Sequence, residues 1–169
     1  MKAKKSARMV AIMGLMLAAA LLLGYVESLI PLDFAIPGIK IGLPNMLTLV
    51  LLRKKGIGYA MPFGILRALL SNLLFGNVLS LSYAVAGCVV SVVVMRFAQN
   101  SRFVGVVGQS VLGALGHNIG QVVAAISILS TIGFIYYLPF LMISGAITGF
   151  LVGIAAAAIL KKGGKALEF

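Results

Sequence analysis

Arg67 is the residue in this sequence with the clearest potential for chemistry. It lies near the middle of the apolar stretch 57–75, and an arginine at the centre of a membrane span costs a few kcal/mol unless it meets a partner or a wet cavity. Ser71 follows one helical turn later on nearly the same face. The planar guanidinium suits an anionic or carbonyl-bearing ligand. The alternative is a structural pairing with Glu27, Asp33 or backbone carbonyls.

A second polar group comprises His117, Asn118 and Gln121 in the stretch 103–129. His117 and Gln121 are four residues apart and therefore share a helical face. A lone histidine in a helix bundle is often a satisfied core residue, but three neighbouring hydrogen-bonding side chains on a helix in lipid favour a ligand pocket. A metal site is not expected, because no further histidine, cysteine or carboxylate pair lies nearby.

The stretch 24–45 holds two of the three acidic residues and three of the five prolines. No long helix can run through these prolines, yet the segment stays apolar between its polar points. We predict that residues 27–45 form a lid-like segment that roofs a small-molecule pocket. Its carboxylates either bind a cationic group or neutralise Arg67 and Lys40. The predicted binding residues are Glu27, Asp33, Lys40, Asn45, Arg67, Ser71, Asn72, His117, Asn118, Gln121, Tyr137 and Ser144.

The composition indicates a membrane protein. Hydrophobic residues make up 62% of the chain and charged residues 10%, against about 45–50% and 25% in soluble domains. We predict an all-α integral membrane domain over residues 1–165, with residues 166–169 as candidates for an expression-vector remnant. The first apolar run is long for a signal peptide and is interpreted as a retained span. The six predicted spans are 9–26, 41–52, 57–75, 78–95, 103–129 and 136–160. Because 41–52 is short for a full crossing, preceding residues must help it cross, or it enters obliquely.

The distribution of basic residues predicts the orientation. The net charge is +11, but the lysines and arginines cluster at alternate ends of the predicted spans rather than along one face. The positive-inside rule then places both termini in the cytoplasm. The clusters are interpreted as topology signals and not as a nucleic-acid surface.

Small residues recur at four-residue spacing, which lets helix backbones approach closely in lipid. Packing within the bundle is the simpler interpretation, and a docking face for another membrane protein is the alternative. The best candidates for docking lie on the first span. The pairs and the triplet are Ala7 and Ala11, Gly14 and Ala18, Gly116 and Gly120, and Gly145, Gly149 and Gly153.

Several motifs are missing from the sequence. There is no GxxxxGK[ST] loop for ATP phosphates, and a single aspartate cannot form an aspartate-rich diphosphate motif. Cys88 is the only cysteine and is interpreted as a packing residue. Neither a catalytic triad nor a carboxylate pair can be assembled from the spacing. We therefore expect no enzymatic activity of this chain alone and no cofactor.

Four stretches resemble the bacterial Gx transporter family, which is also labelled heptaprenyl diphosphate synthase component I. They are GYVESLIPLDFAIPGIKIGLPNMLTLV, ILRALLSNLLFGN, VLGALGHNIGQ and YYLPFLMISGAITG. That family is similar to the substrate-binding S-components of energy-coupling factor (ECF) transporters. The resemblance implies a six-helix protein of the bacterial cytoplasmic membrane. Small residues on its first helix, here Ala7, Ala11, Gly14 and Ala18, would contact a transmembrane coupling subunit that works with ATPases.

Together these observations predict an S-component-like subunit that takes up a small molecule, such as a vitamin or a quinone or isoprenoid precursor. One alternative is a non-catalytic membrane subunit of a prenyl diphosphate synthase or quinone-biosynthesis complex. Another is a stand-alone facilitator that needs no ATP.

Overall fold

The computed structural model describes residues 2–30 and 40–163 of the chain. These residues form an all-helical fold, as the sequence predicts, without strands in the described ranges. A 3-10 helix, Ile132–Tyr137, leads into the last α-helix. The α-helices are α1 (Lys2–Ser28), α2 (Asn45–Lys55), α3 (Ile57–Phe75), α4 (Val78–Gln99), α5 (Val106–Leu129) and α6 (Leu138–Lys162).

Five helical segments are long and apolar enough to cross a membrane, and α2 is the exception. At about 1.5 Å per residue, the 11 residues of α2 span about 16 Å, or half of a hydrocarbon core of about 30 Å. The five segments are Ala7–Ser28, Ile57–Phe75, Val78–Gln99, Val106–Leu129 and Ile132–Lys162.

The short helix α2 is the centre of the bundle. Its residues Thr48 to Leu52 are all buried, and a helix that is buried on every side is enclosed by other helices. It packs against α3, α6, α4 and α1. Gly42, at φ +80°, turns the chain before Pro44, and helix α2 starts only at Asn45. Residues 41–44, predicted as part of the second span, are therefore not helical.

The helices that follow α2 alternate in direction. Gly64 on α3 faces Cys88 on α4, and Gly76 at the end of α3 faces Ser80 near the start of α4, so these two helices are antiparallel. Helices α1 and α3 run in parallel, since Tyr25 and Phe75 at their C-terminal ends are in contact, with ring centroids 5.4 Å apart and the rings tilted by 46°. As a result, the C-terminal ends of α1 and α3 lie at one end of the bundle, and the basic C-terminal end of α2 lies at the other.

The glycines of α5 and α6 serve packing within the bundle. A Cβ on Gly149 would lie 2.9 Å from the Val111 Cα, and a Cβ on Gly120 would lie 2.9 Å from the carbonyl oxygen of Ala86. Only glycine permits such close backbone contact. In contrast, Ala7, Ala11, Gly14 and Ala18 on α1 are all exposed, and a Cβ on Gly14 would meet no atom within 4 Å.

Among the helices after α2, two begin later than the predicted spans. Helix α5 begins at Val106 after the extended residue Gly105, and Phe103, predicted as the first residue of the span, is 98% exposed. Helix α6 begins at Leu138, two residues after the predicted start at 136, because the 3-10 helix occupies that position and Pro139 suits the first turn of the α-helix.

Candidate functional site

One cavity of about 230 Å³ lies between the C-terminal ends of α1 and α3, the start of α2 and the middle of α5. We call it the Arg67 cavity. It brings together most of the side chains that the sequence suggested for ligand binding. The predicted residues that line it are Glu27, Lys40, Asn45, Arg67, Ser71, Asn72, His117, Asn118 and Gln121. Asp33 and the rest of 31–39 lie outside the described residues, so the predicted lid is described only at its two ends.

Arg67 forms the most buried polar wall of the cavity and is only 7% exposed. Its Nη2 donates a 2.8 Å hydrogen bond to Asn45 Oδ1 at the start of α2. Its Nε is buried and has no hydrogen-bond partner among the described residues. A buried polar atom without a partner is costly. Arginine has five N–H donors, so the guanidinium of Arg67, which lines the cavity, retains donors beyond the one that Asn45 takes up.

His117 and Gln121 form the opposite wall, on adjacent turns of α5. Both pack against Gly87 of α4: a Cβ there would lie 2.9 Å from His117 Cε1 and 2.9 Å from Gln121 Cγ. Nδ1 of His117 is buried and unpaired within the described part of the chain. The two side chains thus keep neutral hydrogen-bonding groups at the cavity wall, held in place by a helix contact that requires glycine.

Asn118 connects the cavity to α6. Its Nδ2 donates to the carbonyl oxygen of Leu141, which fixes the amide and leaves its oxygen as the remaining polar atom. Ser144 donates to the same carbonyl oxygen at 3.2 Å and does not line the cavity. Gly145 makes room for this contact, because a Cβ there would lie 2.5 Å from Asn118 Nδ2. Tyr137 belongs to the 3-10 helix, is exposed and is also absent from the cavity wall.

Glu27 has a structural contact that its charge alone did not reveal. Its two carboxylate oxygens accept hydrogen bonds from the backbone N–H groups of Gly42 and Leu43, at 2.9 Å and 3.0 Å. Charged acceptors on backbone donors make strong hydrogen bonds. Glu27 therefore ties the end of α1 to the loop that precedes α2, and its negative charge also acts on Arg67 through space.

Asn72, Ser71 and Lys40 differ in how free they are to bind. Asn72 is bonded at both ends of its amide: Nδ2 donates to the carbonyl oxygen of Ala68 at 2.8 Å, and Oδ1 accepts from Ser80 Oγ at 2.9 Å. Ser71 packs beside Gly24, whose added Cβ would lie 3.1 Å from its hydroxyl oxygen. Lys40 is exposed at the cavity mouth. Asn72 thus stabilises the turn between α3 and α4, whereas Lys40 adds a positive charge.

The sequence interpretation missed some contributors to this site. Cys88 packs in the hydrophobic core, as interpreted, outside the cavity wall but with its thiol beside Arg67. Gly24 and Ala114 line the cavity, and each lies three residues before a predicted binding residue, Glu27 and His117 respectively. Small residues on the same helical face as polar ones were the signal that would have identified them.

A second arginine and amide pair lies at the other end of α2. Arg53 Nε donates to Gln109 Oε1, and Gln109 Nε2 donates to the carbonyl oxygen of Met95 at 2.8 Å. Gln109 is 0% exposed. This pair joins α2, α5 and α4 and was not singled out from the sequence.

The long apolar helices around a polar internal cavity define a multi-pass membrane protein. The family model described as heptaprenyl diphosphate synthase component I matches residues 16–159. The chain belongs to this family, and the family named from the sequence is confirmed. The search of curated proteins and the search of solved structures returned no match.

Proposed function

We propose that this protein is the substrate-binding subunit of an uptake system, similar to an ECF S-component. It captures a small molecule in the Arg67 cavity, and a separate energy-coupling module with ATPases drives its delivery. The observation that carries this proposal is the cavity itself. A polar space lined by Arg67, His117 and Gln121 within a bundle that otherwise meets lipid is a typical ligand site.

The proposed arrangement in the membrane is six inserted helices with both termini in the cytoplasm of a bacterial cell. Basic residues support it, because Arg53, Lys54 and Lys55 end α2, Arg96 lies in the last turn of α4, and Lys161 and Lys162 end α6. These ends lie away from the cavity, and cytoplasmic ends carry such residues. In this arrangement the non-helical residues 40–44 enter the membrane beside the cavity, where irregular backbone is tolerated.

Helix α1 provides the proposed contact with a transmembrane coupling subunit. Ala7, Ala11, Gly14 and Ala18 are exposed, whereas the glycines of α5 and α6 are covered by neighbouring helices. Small exposed residues permit close approach of a partner helix. The proposal needs such a partner because the sequence has no ATP-binding loop of the GxxxxGK[ST] type.

The substrate proposed is a compact molecule, such as a vitamin or a quinone or isoprenoid precursor. A cavity of about 230 Å³ lies below the range of about 300–1,000 Å³ for drug-sized ligands. It would not enclose a long polyprenyl chain. In this proposal the chain binds its substrate and performs no reaction on it.

The family description favours a second candidate function, a non-catalytic membrane subunit of a prenyl diphosphate synthase or quinone-biosynthesis complex. Affinity purification of the chain from its native membranes distinguishes the two. A coupling subunit and ATPases in the purified complex support the uptake function, whereas a soluble synthase supports the second candidate.

The binding proposal is tested by mass spectrometry of small molecules that stay with the purified protein. We expect one compound to be enriched with the wild-type chain and lost from Arg67→Ala and His117→Ala. Arg102→Ala is the matched control, because Arg102 is exposed, lies between α4 and α5, and does not line the cavity. Equal retention by folded Arg67→Ala and His117→Ala would place the binding site elsewhere.

A further inference from the structure

We infer that the ligand of the Arg67 cavity is a small carboxylic acid that binds as a monoanion, with a neutral hydrogen-bonding group at its opposite end. This inference rests on the proposed binding function and specifies the class of ligand. Three observations support this inference. They are the net charge of the cavity wall, the hydrogen bonds that each charged group already makes, and the neutral amides opposite Arg67.

The charge balance of the described wall is positive. Arg67 and Lys40 are its cations and Glu27 is its carboxylate. Both oxygens of Glu27 accept backbone N–H groups, and the same carboxylate interacts electrostatically with the Arg67 guanidinium. Glu27 therefore offsets one of the two positive charges and is not free to take up a ligand cation. A buried charge is stable only when it is paired. A single negative charge on the ligand would neutralise the remaining positive charge at Arg67.

The donor geometry favours a carboxylate over a neutral carbonyl. Asn45 takes up one N–H of the guanidinium, through Nη2, while Nε remains without a partner in the described structure. Arginine presents its N–H donors in a planar fork that matches the two oxygens of a carboxylate. The Asn45 contact holds this fork in place, because it fixes one edge of the guanidinium.

A diphosphate fits the wall less well. It carries more charge than the single buried cation can pair, and proteins commonly hold such groups with a magnesium ion bound by carboxylates. No group of three metal-ligating side chains occurs among the described residues. The positive charge and the volume both match a compact monoanion.

The opposite wall selects the other end of the ligand. Gln121 offers an amide, His117 offers a ring nitrogen, and Asn118 offers the oxygen of an amide that Leu141 already orients. None of these side chains is a carboxylate or a lysine. The far end of the ligand is therefore neutral and polar, for example an amide, a hydroxyl or a ring N–H.

The test uses three probes that share a phenyl ring with a para hydroxyl at the far end: 4-hydroxybenzoate, the neutral 4-hydroxybenzamide, and 4-hydroxyphenylphosphonate, which carries up to two negative charges. They are called benzoate, benzamide and phenylphosphonate below. Thermal unfolding of the full-length protein in detergent is followed with a thiol-reactive fluorogenic dye. Cys88 is the only cysteine and is buried, so the dye reports unfolding. We expect benzoate, at about ten times its dissociation constant, to raise the unfolding midpoint by about 3–5 °C. Benzamide and phenylphosphonate should cause smaller shifts.

The matched variants are Arg67→Gln, which should abolish the benzoate shift, and Arg102→Gln, which removes one exposed charge and should preserve it. If Arg67→Gln does not fold, Arg67→Lys keeps the charge without the fork, and its benzoate shift should be reduced but present. The inference is overturned if benzamide or phenylphosphonate matches benzoate, if no probe shifts the midpoint, or if the benzoate shift survives in Arg67→Gln.

A second measurement separates failure of this inference from failure of the binding function. The compound retained by the wild-type protein is treated with acidic methanol, and a single carboxylate adds one methyl group to its mass. A retained compound that gains no methyl group, or more than one, overturns the ligand class but leaves the binding function intact. If the protein retains no compound and no probe stabilises it, both proposals are wrong.

Discussion

Each end of helix α2 has an arginine side chain hydrogen-bonded to a side-chain amide, but one pair lies beside a cavity and the other lies in tightly packed protein. At its start, Arg67 donates to Asn45 beside an open cavity. At its end, Arg53 donates to Gln109, which is fully buried and anchored to the carbonyl oxygen of Met95. In both places a guanidinium meets a carboxamide. The surroundings decide whether the pair can bind anything else.

The comparison shows that an arginine–amide pair indicates a binding site only where open space lies beside it, since both guanidiniums keep one buried N–H donor without a partner in the described structure. The Arg53 amide partner is bonded at both ends, and its helices are packed together there, so the contact joins three helices. The Arg67 partner, Asn45, lies at the boundary between the loop and α2, and the cavity begins beside it. We infer that the Arg53 end stabilises the bundle and that the Arg67 end binds the ligand.

Replacing Arg67 tests this difference most strongly. Arg67→Ala should weaken retention of the bound compound by about 100-fold or more, because truncating one partner of a buried charged hydrogen bond costs about 2–5 kcal/mol. Titration of the purified compound by calorimetry measures this loss. Arg53→Ala serves as the counterpart and should leave the dissociation constant within about twofold. Similar losses in both variants would contradict the division between the two ends.

Breaking the other pair should affect stability and not binding. Gln109→Leu leaves Arg53 Nε without its partner, and a buried unpaired polar group costs about 1–3 kcal/mol. The carbonyl oxygen of Met95 lies within α4 and keeps its helical hydrogen bond. We expect the unfolding midpoint to fall by about 4–10 °C in the Cys88 dye assay. Gln99→Leu is the matched control, because Gln99 Oε1 is buried without a partner in the described structure. A normal midpoint in Gln109→Leu would show that the inner pair is dispensable.

Asn45 is expected to contribute to binding indirectly. Asn45→Ala removes the acceptor that holds one edge of the guanidinium, so Arg67 keeps its charge but loses its orientation. The affinity for the retained compound should fall by about five- to tenfold, as expected for one hydrogen bond of about 1 kcal/mol. Asn45→Asp should instead pair with Arg67 and exclude an anion. Unchanged affinity in both variants would show that Asn45 does not position Arg67.

The sequence predicted the helices and the clustering of polar residues because both depend on side-chain chemistry. Hydropathy identified the long helices, and Arg67 and His117 had to face the interior because lipid excludes them. The sequence also predicted that the apolar segment before Arg53 is too short to cross the membrane by itself. It could not predict that Thr48 to Leu52 are buried on every side, since an apolar residue can face lipid or protein equally well.

Hydrogen bonds between side chains and backbone groups could not be predicted from the sequence either. The carboxylate of Glu27 bonds to the N–H groups of Gly42 and Leu43, and no side chain marks such donors in a sequence. The same reason explains Ser144, whose hydroxyl bonds to a carbonyl oxygen of its own helix. Tyr137 shares the end of the bundle with the cavity but is positioned by a 3-10 helix, which hydropathy does not distinguish from an α-helix.

The smallest expected effect concerns Glu27, which approaches the Arg67 end of α2 without serving as a ligand group. Glu27→Gln keeps one carbonyl oxygen for Gly42 or Leu43 but presents an N–H₂ group to the other N–H. We expect a loss of about 1 kcal/mol, or about 2–4 °C in the unfolding midpoint, with the benzoate shift preserved. Ser127→Ala is the control, since its exposed hydroxyl bonds to the carbonyl oxygen of Val123 in its own helix and lies outside the cavity wall. Loss of the benzoate shift in Glu27→Gln, with the midpoint unchanged, would instead place Glu27 among the ligand contacts and reverse the charge argument for the cavity.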